Sequence, residues 1–292
     1  MTDSDCKNKV IKKNICSPKV SSPIIVIKPG VGFAFKFKEF WDYRELLYFF
    51  IWRDIKVRYK QTVIGAAWAV IQPFFTMVVF SIFFGKFAKI PSDGLPYPIF
   101  AYCALVPWTY FANSLTKATN TMVMNQNVIT KVYFPRLILP VSAVMSGIPD
   151  FLISFSILMG MMFFYGVIPT ANLFFLPLFM LLVIMTALAV GLWTCAANAI
   201  YRDVQYVVPF VVQFWLFASP VVYPSSLVPE KWKTIYGLNP MSGIIEGFRW
   251  ALLGRGEPSG PMLVVSVIIT FCLLISGIIY FRKMEGTVAD II

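Results

Sequence analysis

Residues 173–199 read LFFLPLFMLLVIMTALAVGLWTCAANA, without a single charged side chain. A helix needs ~20 mostly apolar residues to cross the hydrocarbon core of a bilayer, and this stretch exceeds that length. Five other stretches share its character: 66–84, 99–120, 137–165, 207–222 and 261–281. The fifth in chain order, 207–222, is marginal, since it is short and carries Pro209, Gln213 and Pro220. Apolar residues make up 58% of the 292, aromatic residues 17% and charged residues only 13%. A soluble chain of this size could not hide so much apolar surface in one core. The sequence therefore reads as an all-α polytopic membrane protein with six transmembrane helices.

The formal net charge of +11 would suit a nucleic-acid partner, but its distribution points to topology instead. Thirteen Lys/Arg precede the first span, and Lys131, Arg136, Arg202, Arg282 and Lys283 fall on the same side of the alternating spans. Lys86, Lys89, Lys231, Lys233, Arg249 and Arg255 fall on the other. The positive-inside rule then puts both termini in the cytoplasm, and the basic side attracts anionic headgroups. No nucleic-acid-binding motif accompanies the charge. Cys6, Cys16, Cys103, Cys195 and Cys272 are singly placed with no C-x-x-C spacing, and the chain has no histidine. Neither a zinc nor a haem site is expected, and the cysteines read as small packing residues.

Residues 1–19 are basic and polar, and the nearby apolar run 24–27 is too short for a signal-peptide core. Insertion is therefore expected to rely on the first span. Residues 1–37 read as a cytoplasmic tail, disordered over its first 22 residues, with a Pro29-Gly30 turn signal. Residues 38–60 then read as an amphipathic helix. Phe40, Tyr43, Leu47 and Phe50 share a stripe, while Lys38, Glu39, Asp42, Glu45, Arg53 and Lys56 interleave. Such a helix lies along the inner leaflet or packs on a soluble partner, and the two are compatible.

Between the second and third spans, residues 124–136 carry Val128, Ile129, Val132, Tyr133 and Phe134, flanked by Lys131 and Arg136 and stopped by Pro135. These apolar groups are exposed unless something covers them. A short surface helix of this kind suits docking into a groove of another protein; an ordinary tight turn is the alternative. On the opposite side, 223–257 holds two helical pieces around Asn239-Pro240, the second with Glu246 and Arg249 three residues apart. That piece is too polar to span and too apolar for free solvent. Half-helices at membrane depth are tolerated where protein buries them, so the pair reads as re-entrant or interfacial helices closing an outer end.

Asp150, beside Pro149 inside the third span, is an ionisable group at depth and hence a functional candidate. Lys117 in the second span is a plausible partner, and local satisfaction of freed backbone near Pro149 is the alternative. Aromatic residues crowd the first span (Phe74, Phe75), the second (Trp108, Tyr110) and the fifth (Phe210, Phe214, Trp215, Phe217). They face lipid, pack helices or, since aromatic faces stack on sugar rings, line a carbohydrate path.

Together these stretches resemble the membrane subunit of type-two ABC exporters, specifically the O-antigen and related polysaccharide-export permeases. The resemblance rests on Tyr43-Arg44-Glu45-Leu46-Leu47, on Trp52 through Thr62, on Gly65-Ala66-Ala67-Trp68 and on Gln72-Pro73. It continues through Lys131 to Arg136, Tyr201-Arg202-Asp203-Val204, Ser219 to Pro224, Asn239-Pro240-Met241 and Gly247-Phe248-Arg249. It implies a homodimer of six-span subunits (61–281) served by two cytoplasmic ABC ATPase subunits, with a short cytoplasmic tail at 282–292. It implies ATPase contacts through the interface helix (Tyr43, Arg44, Glu45, Arg53, Asp54), the coupling helix at 124–136 (Val128, Lys131, Tyr133, Phe134, Arg136) and Arg202-Asp203. Outer gate helices would include Tyr223, Glu246 and Arg249. The implied substrate is an undecaprenyl-diphosphate-linked polysaccharide exported across the bacterial inner membrane, with capsule or teichoic acid polymers as alternatives.

The chain has no G-x-x-x-x-G-K-[ST] phosphate loop, so ATP and Mg are expected on the partner, and no cofactor on this chain. A membrane-embedded transferase needs a nucleophile, base or metal site, and here the carboxylates within spans reduce to Asp150. A secondary transporter would favour paired broken helices in two related halves, whereas one break region is legible.

Overall fold

The computed structural model describes residues 41–60, 65–254 and 260–291, and every regular element among them is helical. The expected tail, Cys6, Cys16, Phe40 and Arg255 lie outside those residues. The first helix, α1, is Arg44–Lys60. Next comes α2, Gly65–Phe80, which carries Pro73 and widens into a π turn at Ser81–Phe87. The widened turn is capped by Ala88 N donating to Phe83 O at 2.8 Å. At Gly85 an added Cβ would lie 2.9 Å from the Tyr97 ring, so glycine lets the returning chain start its next helix close by.

That next helix, α3 (Tyr97–Met124), is the hub. A one-turn helix α4 (Gln126–Ile129) follows, then α5 (Ile138–Met145) and α6 (Ile148–Phe164). The third expected span is thus one apolar run broken at Ser146-Gly147. The break has a cause: Pro149 begins a new helix and cannot donate back into the old one. The uncharged stretch 173–199 forms most of α7 (Leu176–Ile200), and α8 is Val204–Ala218. Beyond it lie α9 (Glu230–Tyr236), α10 (Pro240–Leu253) and α11 (Gly260–Ile291). The last runs as one helix past the expected end of the final span at Phe281.

Four segments are long and apolar enough to cross a membrane: Ala67–Phe87, Ile138–Phe164, Ala171–Ile200 and Gly260–Glu285. The chain is a membrane protein on that ground. The other two expected spans differ from these in instructive ways. At 28 residues α3 has the length, but its C-terminal half is rich in Thr, Asn and Ser. It packs on α2, α5, α6, α7, α8 and α10, so its polar groups meet protein. Thr119 Oγ1 lies 2.7 Å from Thr194 Oγ1 on α7, and Asn198 Nδ2 donates to Thr119 O at 3.0 Å. Such interhelical hydrogen bonds, with small residues allowing close approach, hold helices together where lipid supplies no hydrophobic drive. For its part, α8 is only 15 residues long and stops before Ser219-Pro220, where the backbone turns extended.

The segment α10 is enclosed by protein. Of its 14 residues only Trp250 is not fully buried, and it packs on α3, α7 and α11. Two glycines permit this. A Cβ at Gly247 would fall 2.1 Å from the Phe179 ring of α7, and one at Gly243 would meet Ser266 of α11 at 2.6 Å.

Candidate functional site

At the end of the molecule that holds α1, the stripe read from the sequence packs inward. Tyr43, Leu46, Leu47 and Phe50 form a cluster with Val128, Ile129, Phe134, Ile138 and Leu139. The Phe50 and Phe134 rings lie 5.7 Å apart, and Phe134 is only 4% exposed. Phe134, expected to be exposed unless something covered it, finds that cover in α1 of the same chain. The outward apolar groups are Val132 and Tyr133, the latter 60% exposed, with Lys131 beside them. Arg136 also turns inward, its guanidinium donating to the Glu285 carbonyl of α11 at 2.8 Å. On α1, Arg44 and Glu45 are exposed. Arg53 is paired with its neighbour Asp54 at 2.8 Å and lies 4.8 Å over the Phe50 ring. Arg202 and Asp203 are exposed in the turn before α8.

Asp150 sits in the first turn of α6, where a carboxylate suits the helix dipole. Its partners are not Lys117 but two residues at the end of α1. Arg58 pairs with one carboxylate oxygen, and the Tyr59 hydroxyl donates to the other at 2.6 Å. Nothing local signals this, since the partners lie more than ninety positions apart. Burial pulls the Arg58 guanidinium below its ordinary value and lifts the Tyr59 phenol above its own. Lys117 is half-buried on α3.

The aromatic candidates divide cleanly. Trp108 and Tyr110 belong to the protein core, so of the expected alternatives they pack helices and do not line a path. Both are 4% exposed, because α3 is wrapped by six other helices. Trp108 meets Trp215 at 6.4 Å, and the Tyr110 hydroxyl donates to Val144 O at 3.0 Å. Trp215 packs inward too, 5.1 Å from Phe111, its indole N–H donating to Asn239 Oδ1 at 2.9 Å. Around α8, Phe210, Phe214 and Phe217 all point outward, at 62%, 61% and 50% exposure. On α2, Phe74 and Phe75 are exposed as well. The chain thus presents two aromatic helix faces that its own core does not use.

At the other end the segment after α8 is tied down by buried charge. Glu246 and Arg249 on α10 are 5% and 2% exposed and lie 3.1 Å apart. Arg249 also donates to Val221 O at 3.0 Å, and Glu246 accepts from Ser225 N at 3.1 Å. The guanidinium lies 3.7 Å over the Phe100 ring, an electrostatic attraction strengthened by the dry surroundings. The Tyr97 hydroxyl holds Val222 O at 2.7 Å. Tyr223 meets the Tyr236 hydroxyl at 2.9 Å, and burial, with that contact, drives the Tyr236 phenol upward. Asn239 caps α10 through Met241 N at 3.1 Å while its amide nitrogen donates to Ser219 Oγ at 2.9 Å. Breaking a buried pair such as Glu246–Arg249 costs about 3–5 kcal/mol, because the survivor is left uncompensated. The roles of Phe100, Tyr97 and Asn239 are missing from the sequence reading; the Asn-Pro helix start was their only local signal.

Comparison with known proteins gives these features a common frame. The chain is 28% identical over 255 residues to an O-antigen export system permease protein of Myxococcus xanthus, covering 85% of this chain and 96% of that protein. A Klebsiella pneumoniae protein of the same description is 28% identical over 241 residues, 82% of this chain and 92% of its own length. The polysialic acid transport protein KpsM of Escherichia coli is 20% identical over 238 residues, 80% and 91% respectively. Residues 45–253 match the family model described as ABC-2 type transporter, a range running from the first turn of α1 to the end of α10, and the chain belongs to that family.

Proposed function

We propose that this chain is the membrane subunit of an ATP-driven exporter that moves an undecaprenyl-diphosphate-linked polysaccharide of O-antigen type across the bacterial inner membrane. The observation that carries the reading is the near-complete coverage of relatives described as O-antigen export permeases, 96% of the Myxococcus xanthus protein. The chain crosses the bilayer six times with both termini cytoplasmic: α3 and α8 join the four apolar segments, and α9 with α10 forms a re-entrant pair at the outer end. Two copies assemble around a conduit. The outward aromatic faces of α2 (Phe74, Phe75) and α8 (Phe210, Phe214, Phe217) line it, since stacking against sugar rings suits a hydrated glycan.

ATP and Mg belong to two cytoplasmic ATPase subunits. These dock on Lys131, Val132 and Tyr133 and on the exposed side of α1 (Arg44, Glu45), with Arg202-Asp203 alongside. Phe134 acts from within, fixing the angle between α1 and that docking turn. At the outer end the Glu246–Arg249 cluster holds Val221–Ser225 in the resting position. A capsule polymer is the second reading, favoured by the similarity to a polysialic acid transport protein.

The test is reconstitution of the permease with its ATPase in proteoliposomes. Lipid-linked oligosaccharide should stimulate ATP hydrolysis and appear in the lumen of inside-out vesicles. An ATPase that neither co-purifies nor responds to any lipid-linked glycan would overturn the reading.

A further inference from the structure

Where the end of α1 meets α2, α3 and α6, the helices line a half-open cavity of about 490 Å³, within the ~300–1,000 Å³ of small-molecule sites. Its walls carry a mixture that lipid-facing surface does not need. Gln72 and Asn113 offer amides, each able to donate and accept, and neither makes a side-chain hydrogen bond among the described residues. Ser114 Oγ lies buried behind them, against Gly147 and the Tyr110 side chain, the Tyr110 hydroxyl donating to Val144 O. A half-buried amide is usually satisfied, so Asn113 opening on a cavity points to a ligand. Trp68, 60% exposed, stands at the rim. The one charged feature, Arg58 against Asp150, is compensated on the spot.

We propose that this cavity binds a single uncharged pyranose ring of the exported glycan, its hydroxyls on Gln72 and Asn113 and one face on Trp68. The proposal rests on the export reading above and deepens it by placing a sugar site within each subunit, apart from the aromatic faces of α2 and α8. Paired amides match vicinal sugar hydroxyls, and an aromatic face matches the ring's apolar C–H face. Because the Arg58 charge is offset by Asp150, a phosphate gains little there, which separates the site from one for a lipid headgroup. Its position matters as well. A ligand held by Gln72 and Asn113 lies in a cavity also lined by Arg58 of α1 and Asp150 of α6, so occupancy is felt at the helix that carries the inner docking face.

The test uses full-length permease in nanodiscs and saturation-transfer NMR with four probes: the methyl pyranosides of glucose, mannose, galactose and rhamnose. Glycerol 1-phosphate serves as the headgroup arm. At least one glycoside should receive saturation on its ring protons, at least fivefold less in Asn113→Leu and in Trp68→Ala. Gln72→Ala, at an exposed position, covers the case in which Asn113→Leu does not fold. Transfer to no glycoside, transfer undiminished in the variants, or transfer to glycerol phosphate alone overturns the proposal. So does efficient disulfide trapping of Gln72→Cys between two subunits, which would show a second copy filling the cavity. If glycosides fail to bind while the same preparation exports lipid-linked glycan, the pocket falls and the export reading stands. If they bind and no glycan is exported, the reverse holds.

Discussion

Truncating Phe134 to alanine separates two roles that a surface aromatic and a buried one would play. The side chain is 4% exposed, faces Phe50 at 5.7 Å and shares a cluster with Ile138 and Leu139. Removing a buried phenyl group costs about 3–5 kcal/mol in a rigid core. Here the lower part of that range applies, because α1 touches the bundle mainly through this cluster and α5, and can settle into the gap. The ring pair alone contributes about 0.5–1.5 kcal/mol beyond its area. Unfolding of the purified permease in mixed micelles, without any ATPase, should therefore show Phe134→Ala destabilised by about 3 kcal/mol. A cycle with Phe50→Ala should give a coupling of about 1 kcal/mol. Val132→Ala, on the exposed side, should stay within about 0.5 kcal/mol of wild type yet lower recovery of the ATPase complex. If Phe134→Ala left the isolated permease as stable as wild type and only weakened ATPase recovery, Phe134 would be a docking anchor and the internal assignment wrong.

Asp150→Leu should destabilise the permease and depress export, because it strips the carboxylate from Arg58 and the acceptor from Tyr59. Asp150→Asn should be milder, and equal effects in a stability and export assay would refute the pairing. Gly247→Val should abolish folded protein on size-exclusion chromatography, since its Cβ would overlap the Phe179 ring; recovery by Phe179→Ala would identify the clash as the cause. Charge reversal at Arg249 should loosen the 221–225 segment, read as faster modification of a cysteine placed at Ser226, and unchanged labelling would remove the tie. Phe214→Ala should slow export severalfold at normal protein level, whereas Trp215→Ala should lower protein level first. The opposite order would exchange the outward and inward faces of α8.

What the sequence made legible was whatever repeats at short range. Sustained apolarity marked the four segments long enough to span, and the step of three or four residues marked the stripe Tyr43–Leu47–Phe50 that packs in the structure. The Asn239-Pro240 pair marked the start of α10 because an N-cap followed by proline is a local device. What stayed hidden was set by partners far along the chain. Trp108 and Phe210 are alike in type and in apolar surroundings, yet one sits in the core and the other outside, because α3 is wrapped by six helices and α8 is not. Arg58 looked like one more cation on a polar helix face until α6 brought Asp150 to it. In a bilayer this blindness has a physical origin. Hydrophobicity no longer distinguishes the buried face from the exposed one when lipid and core are equally apolar. The residues that do report inward faces are glycines and hydroxyl or amide side chains, and here Gly243, Gly247, Thr119, Thr186 and Asn198 all point to helix contacts. A reading of such a chain that weighted small and weakly polar residues above aromatic ones would have placed Trp108 and Tyr110 in the core at once, since Ser114 and Thr119 lie near them on the same helix.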